Sequence, residues 1–160
     1  MTILIAELCQ NHNGDFDILK RMVEAAAKAG ATHCKIQTIY ASTLSFRPQF
    51  EEGLIRNEKV IAIKRPYKDE YNRLSKLELT YDQSLQFIDL CKEFNLIPMT
   101  TCFARCHVEE LKQLGFKTIK VASYDCASFQ LLRELSLAFD NILVSTGATY
   151  DNEIKKAAEI

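Results

Sequence analysis

The 160-residue chain sets 20 Lys+Arg against 21 Asp+Glu, a formal net charge of −1, with 48% hydrophobic, 26% charged and 9% aromatic residues. That balance gives no basic footprint for nucleic acid or an anionic membrane, and no apolar run reaches the ~18 residues of a transmembrane helix. Five Gly and three Pro exclude collagen-like and Gly/Pro-rich low-complexity chains.

In chain order, residues 3–9 form a short β-branched apolar run. It lacks the basic leader of a signal peptide and carries Glu7 almost at once, which argues against export and for a cytoplasmic chain. The six cysteines (Cys9, Cys34, Cys91, Cys102, Cys106, Cys126) are then expected as reduced thiols. Cys102 and Cys106 have no second pair at zinc-site spacing. Residues 15–29 read as a helix with Ile18, Leu19, Met22, Val23, Ala26 and Ala27 on one face, Asp15 as N-cap and Gly30 just past the last turn. A second strand follows at 33–38. Residues 39–79 are charged and weakly periodic, and predict a long loop with one short helix.

Regularity returns at Thr80. Thr80-Tyr81-Asp82-Gln83 fits a capping box, ahead of a helix burying Leu85, Ile88, Cys91 and Phe94. Strand 96–103, helix 108–114 closed by Gly115, strand 118–122, helix 128–138 and strand 141–145 follow, and Thr149 is placed to cap a last helix running to residue 160. Five β-then-α units with no internal repeat and no evident domain boundary predict a parallel sheet in an α/β fold. Doubly wound sheets and (β/α)8 barrels both fit that pattern. Five units cannot close an eight-stranded barrel, so the expectation is a fragment or an open partial barrel needing a partner.

Buried parallel strands are normally almost wholly apolar. Here each carries polar residues near its C-terminal end: Glu7 then Gln10, Asn11, His12 and Asn13; Lys35 and Gln37; Thr100 and Thr101; Lys120, Ser123 and Asp125; Ser145 and Thr146. Ligands of α/β folds sit beyond those ends. A lysine in an apolar strand is costly unless an anion or carboxylate pairs with it. Either Lys35 or Lys120 alone reads as a snorkelling or salt-bridged residue; two at equivalent positions point to a shared anion. With Ser123, Ser145 and the amides of Ser145-Thr146-Gly147 they would suit a phosphorylated, carboxylated ligand. Glu7 and Asp125 could orient a hydroxyl or aldehyde, or move a proton. His33 and His107 read as packing or surface residues, and His12 as the histidine at the site.

The segment Ile5-Ala6-Glu7-Leu8-Cys9-Gln10-Asn11-His12-Asn13-Gly14, followed by Cys34-Lys35-Ile36-Gln37-Thr38, resembles the opening of the sialic acid synthases, the N-acetylneuraminate, pseudaminate and legionaminate synthases. Lys76-Leu77-Glu78-Leu79-Thr80, Thr100-Thr101-Cys102-Phe103, Ile119-Lys120-Val121-Ala122-Ser123 and Val144-Ser145-Thr146-Gly147 follow in that family's order and spacing. The likeness runs from residue 3 to the end of the chain.

The resemblance implies the N-terminal portion, residues 1–160, of a (β/α)8 TIM barrel that condenses phosphoenolpyruvate with an N-acetylated amino-sugar aldehyde into a nine-carbon 2-keto acid. It implies that Lys35, Thr101, Lys120, Ser123 and Ser145 hold phosphoenolpyruvate, and that Glu7, Gln37 and Asp125 face the sugar and the reacting carbons. Asn11 and His12 belong with the substrate-binding residues. A divalent ion, manganese or magnesium, would polarise the aldehyde, with ligands on later strands outside this chain. A C-terminal antifreeze-like domain, also outside it, would close a homodimer. Four positions depart from the family's usual pattern: Cys9 and Tyr124 stand where glycine is usual, Cys102 where proline is, and Asp125 where glutamate is. Two other readings compete: a non-catalytic fragment acting in folding or assembly, and another phosphoenolpyruvate–aldose synthase, whose sites lack the Asn11–Gly14 element.

Overall fold

The computed structural model describes residues 2–160 and divides the chain into two compact units, residues 39–78 and the remainder. The larger unit contains β1 (Ile5–Cys9), α1 (Phe16–Lys28) and β2 (His33–Thr38) before the 39–78 segment. The smaller unit contains α2 (Pro48–Glu51), β3 (Leu54–Arg56), β4 (Lys59–Ala62) and α3 (Tyr67–Ser75). The larger unit then resumes with α4 (Tyr81–Glu93), β5 (Ile97–Cys102), α5 (Val108–Leu114), β6 (Thr118–Val121), α6 (Phe129–Ala138), β7 (Asn141–Val144) and α7 (Asp151–Ala158). Its five strands form one parallel sheet in the order β1-β2-β5-β6-β7. The predicted parallel α/β pattern is therefore observed, and strand order follows chain order with no reversal.

Local chemistry explains the element ends. The Asp15 carboxylate accepts the amides of Asp17 and Ile18 at 2.8 and 3.1 Å, satisfying donors that the first turn leaves orphaned. Thr80 and Gln83 form the reciprocal capping box, at 3.2 and 2.9 Å. α5 ends on Gly115 at φ +97°, a left-handed closure that glycine adopts without steric penalty. The last helix departs from expectation. Its N-cap is Tyr150, whose amide donates to Glu153 at 2.9 Å. The Thr149 hydroxyl instead donates to the carbonyls of Ser123 and Gly147, each at 3.3 Å. Carbonyls of the loops after β6 and β7, within reach of that hydroxyl, outcompete the helix terminus.

The 39–78 segment is not the irregular loop its charge suggested. Asn57 and Glu58, at φ +49° and +64°, turn the chain tightly between β3 and β4. Successive positive φ values match the twist of a two-residue hairpin. Because neither residue is glycine, the sequence signal is weak.

The larger unit's sheet has two unlike faces. Ala6, Cys34, Ile36, Ile119, Val121, Ile142 and Val144 pack with α-helical Leu19, Val23, Phe87, Ile88, Leu111 and Leu135 in a single core. Neighbouring helices pack in succession, α1 on α4, α4 on α5, α5 on α6 and α6 on α7. Side chains alternate along a strand, so the intervening residues fall on the opposite face. That face carries the charged ones.

Candidate functional site

Register builds the site. Glu7 lies opposite Lys35, Gln37 opposite Thr101, Thr101 opposite Lys120, and Lys120 opposite Leu143. Residues opposite one another in a parallel sheet share a face, so these side chains lie on one face in two neighbouring rows, Glu7 with Lys35 and, two residues further along the strands, Gln37 with Thr101 and Lys120. Lys35 is only 4% exposed. Its Nζ lies 2.6 Å from Glu7 Oε2 and donates to Thr101 Oγ1 at 3.0 Å. Both contacts answer the desolvation cost of a buried ammonium. Glu7 Oε1 also accepts the Cys9 amide at 3.0 Å, so both carboxylate oxygens are held.

Lys120 is half-buried. Its Nζ donates to the Val121 carbonyl at 2.8 Å and to Ser145 Oγ. Burial pushes its pKa below the usual lysine value, the nearby Lys35 ammonium pushes it further down, and Glu7 partly opposes them. Thr101, which accepts from Lys35 Nζ, lies opposite Lys120 in the sheet, so one residue of β5 separates the two lysines across that face. Gln37, on the same face, points its amide nitrogen at Cys9 Sγ, 3.8 Å away. Nothing in the sequence pattern around Cys9 signals this contact.

The loops beyond the strand ends complete the rim. Ser123 and Gly147 are adjacent: a Cβ added to Gly147 would lie 3.7 Å from Ser123 Cβ. Asn11 is exposed, and its carbonyl accepts from the Asn13 side chain at 3.3 Å. His12 is wholly buried, with Nδ1 accepting the Gly14 amide at 3.1 Å. That bond requires an unprotonated Nδ1, so in the neutral ring the proton lies on Nε2, which has no protein partner among the described residues. His12 braces the β1–α1 loop from within. Asp125 is buried in a short turn after β6, and its Oδ1 accepts from Ser128 Oγ at 3.3 Å. This places it beside the start of α6, whereas Glu7, Lys35, Thr101, Lys120 and Ser145 are joined along the sheet face.

Among the described residues no three His, Cys, Asp or Glu side chains converge on a point that could hold a metal ion. The donors at the lysine row are a single carboxylate, hydroxyls and ammonium groups, which suit an anion and do not suit a divalent cation. The NeuB family matches residues 22–160 of this sequence.

The chain belongs to the NeuB family. Over 99% of its length it is 28% identical to an N,N'-diacetyllegionaminic acid synthase of Campylobacter jejuni, covering 46% of that protein. It is 27% identical to the N-acetylneuraminate-9-phosphate synthase of Mus musculus, covering 98% of this chain and 42% of the relative. Among solved structures it is similar to an N-acetylneuraminic acid (sialic acid) synthetase from Leptospira borgpetersenii serovar Hardjo-bovis in complex with citrate, with a TM-score of 0.78 and 25% identity over 98% of this chain and 48% of that one. The chain thus spans less than half the length of these NeuB relatives.

The departures from the usual family pattern have unlike structural settings. Cys9 sits at φ +52°, in the left-handed region where glycine is the easy occupant. Tyr124 is absent from the positive-φ residues, so its backbone makes no demand for glycine. Its ring is 68% exposed and stacks on Phe103 at 6.4 Å. Cys102 is buried in the core, donates to the Ala104 carbonyl at 3.4 Å, and has its thiol pushed up to about 11 by burial.

Proposed function

We propose that residues 1–160 are a five-unit arc of a (β/α)8 barrel carrying the phosphoenolpyruvate-gripping half of a sialic acid-type synthase. The arc reading is supported by strand order that follows chain order and by helices confined to one face. A doubly wound sheet would reverse its order and cover both faces. The reading of activity rests on one observation: Lys35 on β2 and Lys120 on β6 lie on one sheet face either side of Thr101 on β5, Lys35 bonded to Glu7 and Thr101 and Lys120 to Ser145.

In this reading Lys35 and Lys120, with Ser123 and Ser145, grip the phosphate and carboxylate of phosphoenolpyruvate. Paired ammonium groups, preorganised where the phosphate departs, stabilise its developing charge. The enol carbon forms a C–C bond to the aldehyde carbon of an N-acetylated amino sugar. Water adds at the adjoining cationic carbon, one of its protons passing to the new alkoxide, and the C–O bond to phosphate breaks as the remaining hydroxyl proton leaves with the phosphate, giving a nine-carbon 2-keto acid and inorganic phosphate. Glu7 and Gln37 lie beside the reacting carbons, with Asp125 toward the sugar. A divalent ion such as manganese or magnesium would polarise the aldehyde when bound, held by residues outside this chain. The aldose could be free or phosphorylated. A longer polypeptide would supply the remaining strands and a homodimer contact.

Calorimetric titration of this chain with phosphoenolpyruvate tests the assignment. Weak binding, lost on Lys35→Ala, is expected; affinity indifferent to that substitution defeats it. A second reading, a non-catalytic assembly piece, is favoured by the two sheet edges, since β1 and β7 each pair with only one strand. Phosphate release from phosphoenolpyruvate and N-acetylmannosamine with manganese, abolished by Lys120→Ala, would exclude it.

A further inference from the structure

Cys9 stands where β1 breaks its own pattern. The pairing register steps between Glu7 and Cys9: Glu7 lies opposite Lys35, but Cys9 lies opposite Ile36, where an unbroken ladder would set it against Gln37. Irregularities of this kind re-aim a side chain and gather beside active sites. Cys9 is left in the left-handed region at φ +52°, which glycine enters freely and a residue with a Cβ enters only under strain. Such strain clusters at functional positions, and here the strained residue carries a thiol.

That thiol joins two residues of the polar sheet face. Its sulfur receives the Gln37 amide nitrogen at 3.8 Å, and it shares a side-chain hydrogen bond with Glu7, which also accepts the Cys9 backbone amide at 3.0 Å. Glu7 is in turn the partner of Lys35 at 2.6 Å. Burial pushes the Cys9 thiol above its usual value, the hydrogen bond and negative charge of Glu7 push it further, and Lys35 opposes them. The proton therefore stays on sulfur at neutral pH. Donor and acceptor capacity then fixes the Gln37 amide. The single S–H is committed to a carboxylate that can only accept, so the sulfur is left as an acceptor and calls for N–H rather than C=O. A planar amide that gives its nitrogen to sulfur turns its carbonyl oxygen the other way.

We propose that Cys9 is a positioning residue that clasps Gln37 to Glu7, so that Gln37 meets a ligand on the lysine-bearing face with its carbonyl oxygen and favours a group that donates a hydrogen, a hydroxyl or amide N–H, over an anionic oxygen. Recognition of anions is thereby left to Lys35 and Lys120. The inference deepens the synthase reading and rests on it only for the identity of the ligand; the clasp stands on the contacts of Cys9 itself.

NMR of the isotopically labelled chain tests the clasp without any ligand. The Gln37 side-chain amide should be ordered in the unsubstituted chain and lose that order in Cys9→Gly, which suits φ +52° and so removes the thiol without backbone strain. Cys9→Ser, whose hydroxyl also donates and accepts, should restore it. The ¹³Cβ titration of Cys9 should place its thiol above an ordinary cysteine, and lower in Glu7→Gln. A Gln37 amide indifferent to Cys9→Gly, or one that Cys9→Ser fails to restore, overturns the proposal, and so does a Cys9 titration unmoved by Glu7→Gln. Calorimetry with phosphoenolpyruvate, whose phosphate and carboxylate are acceptors at neutral pH, reads the consequence. In Cys9→Gly the released Gln37 N–H groups can turn to that anion. This variant should bind it about threefold to tenfold more tightly than the unsubstituted chain, the scale of one charge-assisted contact, and Cys9→Gly combined with Gln37→Ala should lose the gain. Equal or weaker binding by Cys9→Gly overturns the proposal as well. No phosphoenolpyruvate binding by any of these chains, with the amide and thiol signatures as expected, upholds the clasp and sinks the synthase reading.

Discussion

Glu7 and Lys35 stand opposite each other on β1 and β2 with carboxylate and ammonium 2.6 Å apart, and the ammonium is the more deeply buried partner. An anionic ligand arriving at Lys35 therefore meets a charge already answered by Glu7. Glu7→Gln should bind phosphoenolpyruvate several-fold more tightly, because one repelling carboxylate is gone. The same change replaces the charged partner of Lys35 with a neutral amide oxygen, and should cost about 1–3 kcal/mol of stability, discounted for the half-open carboxylate. Calorimetry and urea denaturation measure the two effects. Weaker binding together with unchanged stability would refute this account of the pair.

Lys120 titrates below ordinary lysine because of burial and its cationic neighbour. Lys35→Met removes the neighbour and releases Glu7, and both changes favour a charged Lys120. Its pKa should rise. Reductive ¹³C-methylation followed by NMR pH titration reads it directly; an unmoved or lowered value would separate the two lysines.

Burial lowers the His12 pKa from its usual value. The unfolded chain, near pKa 6.5, takes up the proton first. The contribution of neutral His12 to stability is therefore complete above about pH 6.5 and is lost as pH falls through the depressed folded value. His33, lowered by its own desolvation, adds in the same direction. Urea midpoints between pH 7.5 and 5 should fall less steeply in His12→Asn, whose side-chain oxygen can still accept the Gly14 amide. Parallel curves for the two proteins would remove His12 as the source.

The hairpin turn offers a local test. Glu58 holds φ +64°, a conformation costing about 1–2 kcal/mol for a residue with a Cβ. Glu58→Gly should stabilise the β3–β4 hairpin by about 1 kcal/mol, and Glu58→Val should destabilise it, as read by hydrogen exchange of the Val60 and Ile61 amides. Equal protection in all three proteins would contradict the turn geometry.

Much of the fold was legible along the chain because its signals are local. Alternating strands and helices, the Asp15 and Thr80 caps and the Gly115 stop depend on neighbours within a few residues. The polar strand ends stood out because lysine does not belong in an apolar strand. Tertiary structure decided the rest. Which partner satisfies Lys35, and that Lys120 feels Lys35, follow from register between strands dozens of residues apart. The same non-local competition drew Thr149 away from its helix toward Ser123, and set Asp125 against Ser128 at a groove that no spacing in the sequence foretells. Propensity and capping act through the nearest turn of chain, whereas electrostatic pairing and cavities arise only where folding brings distant segments together.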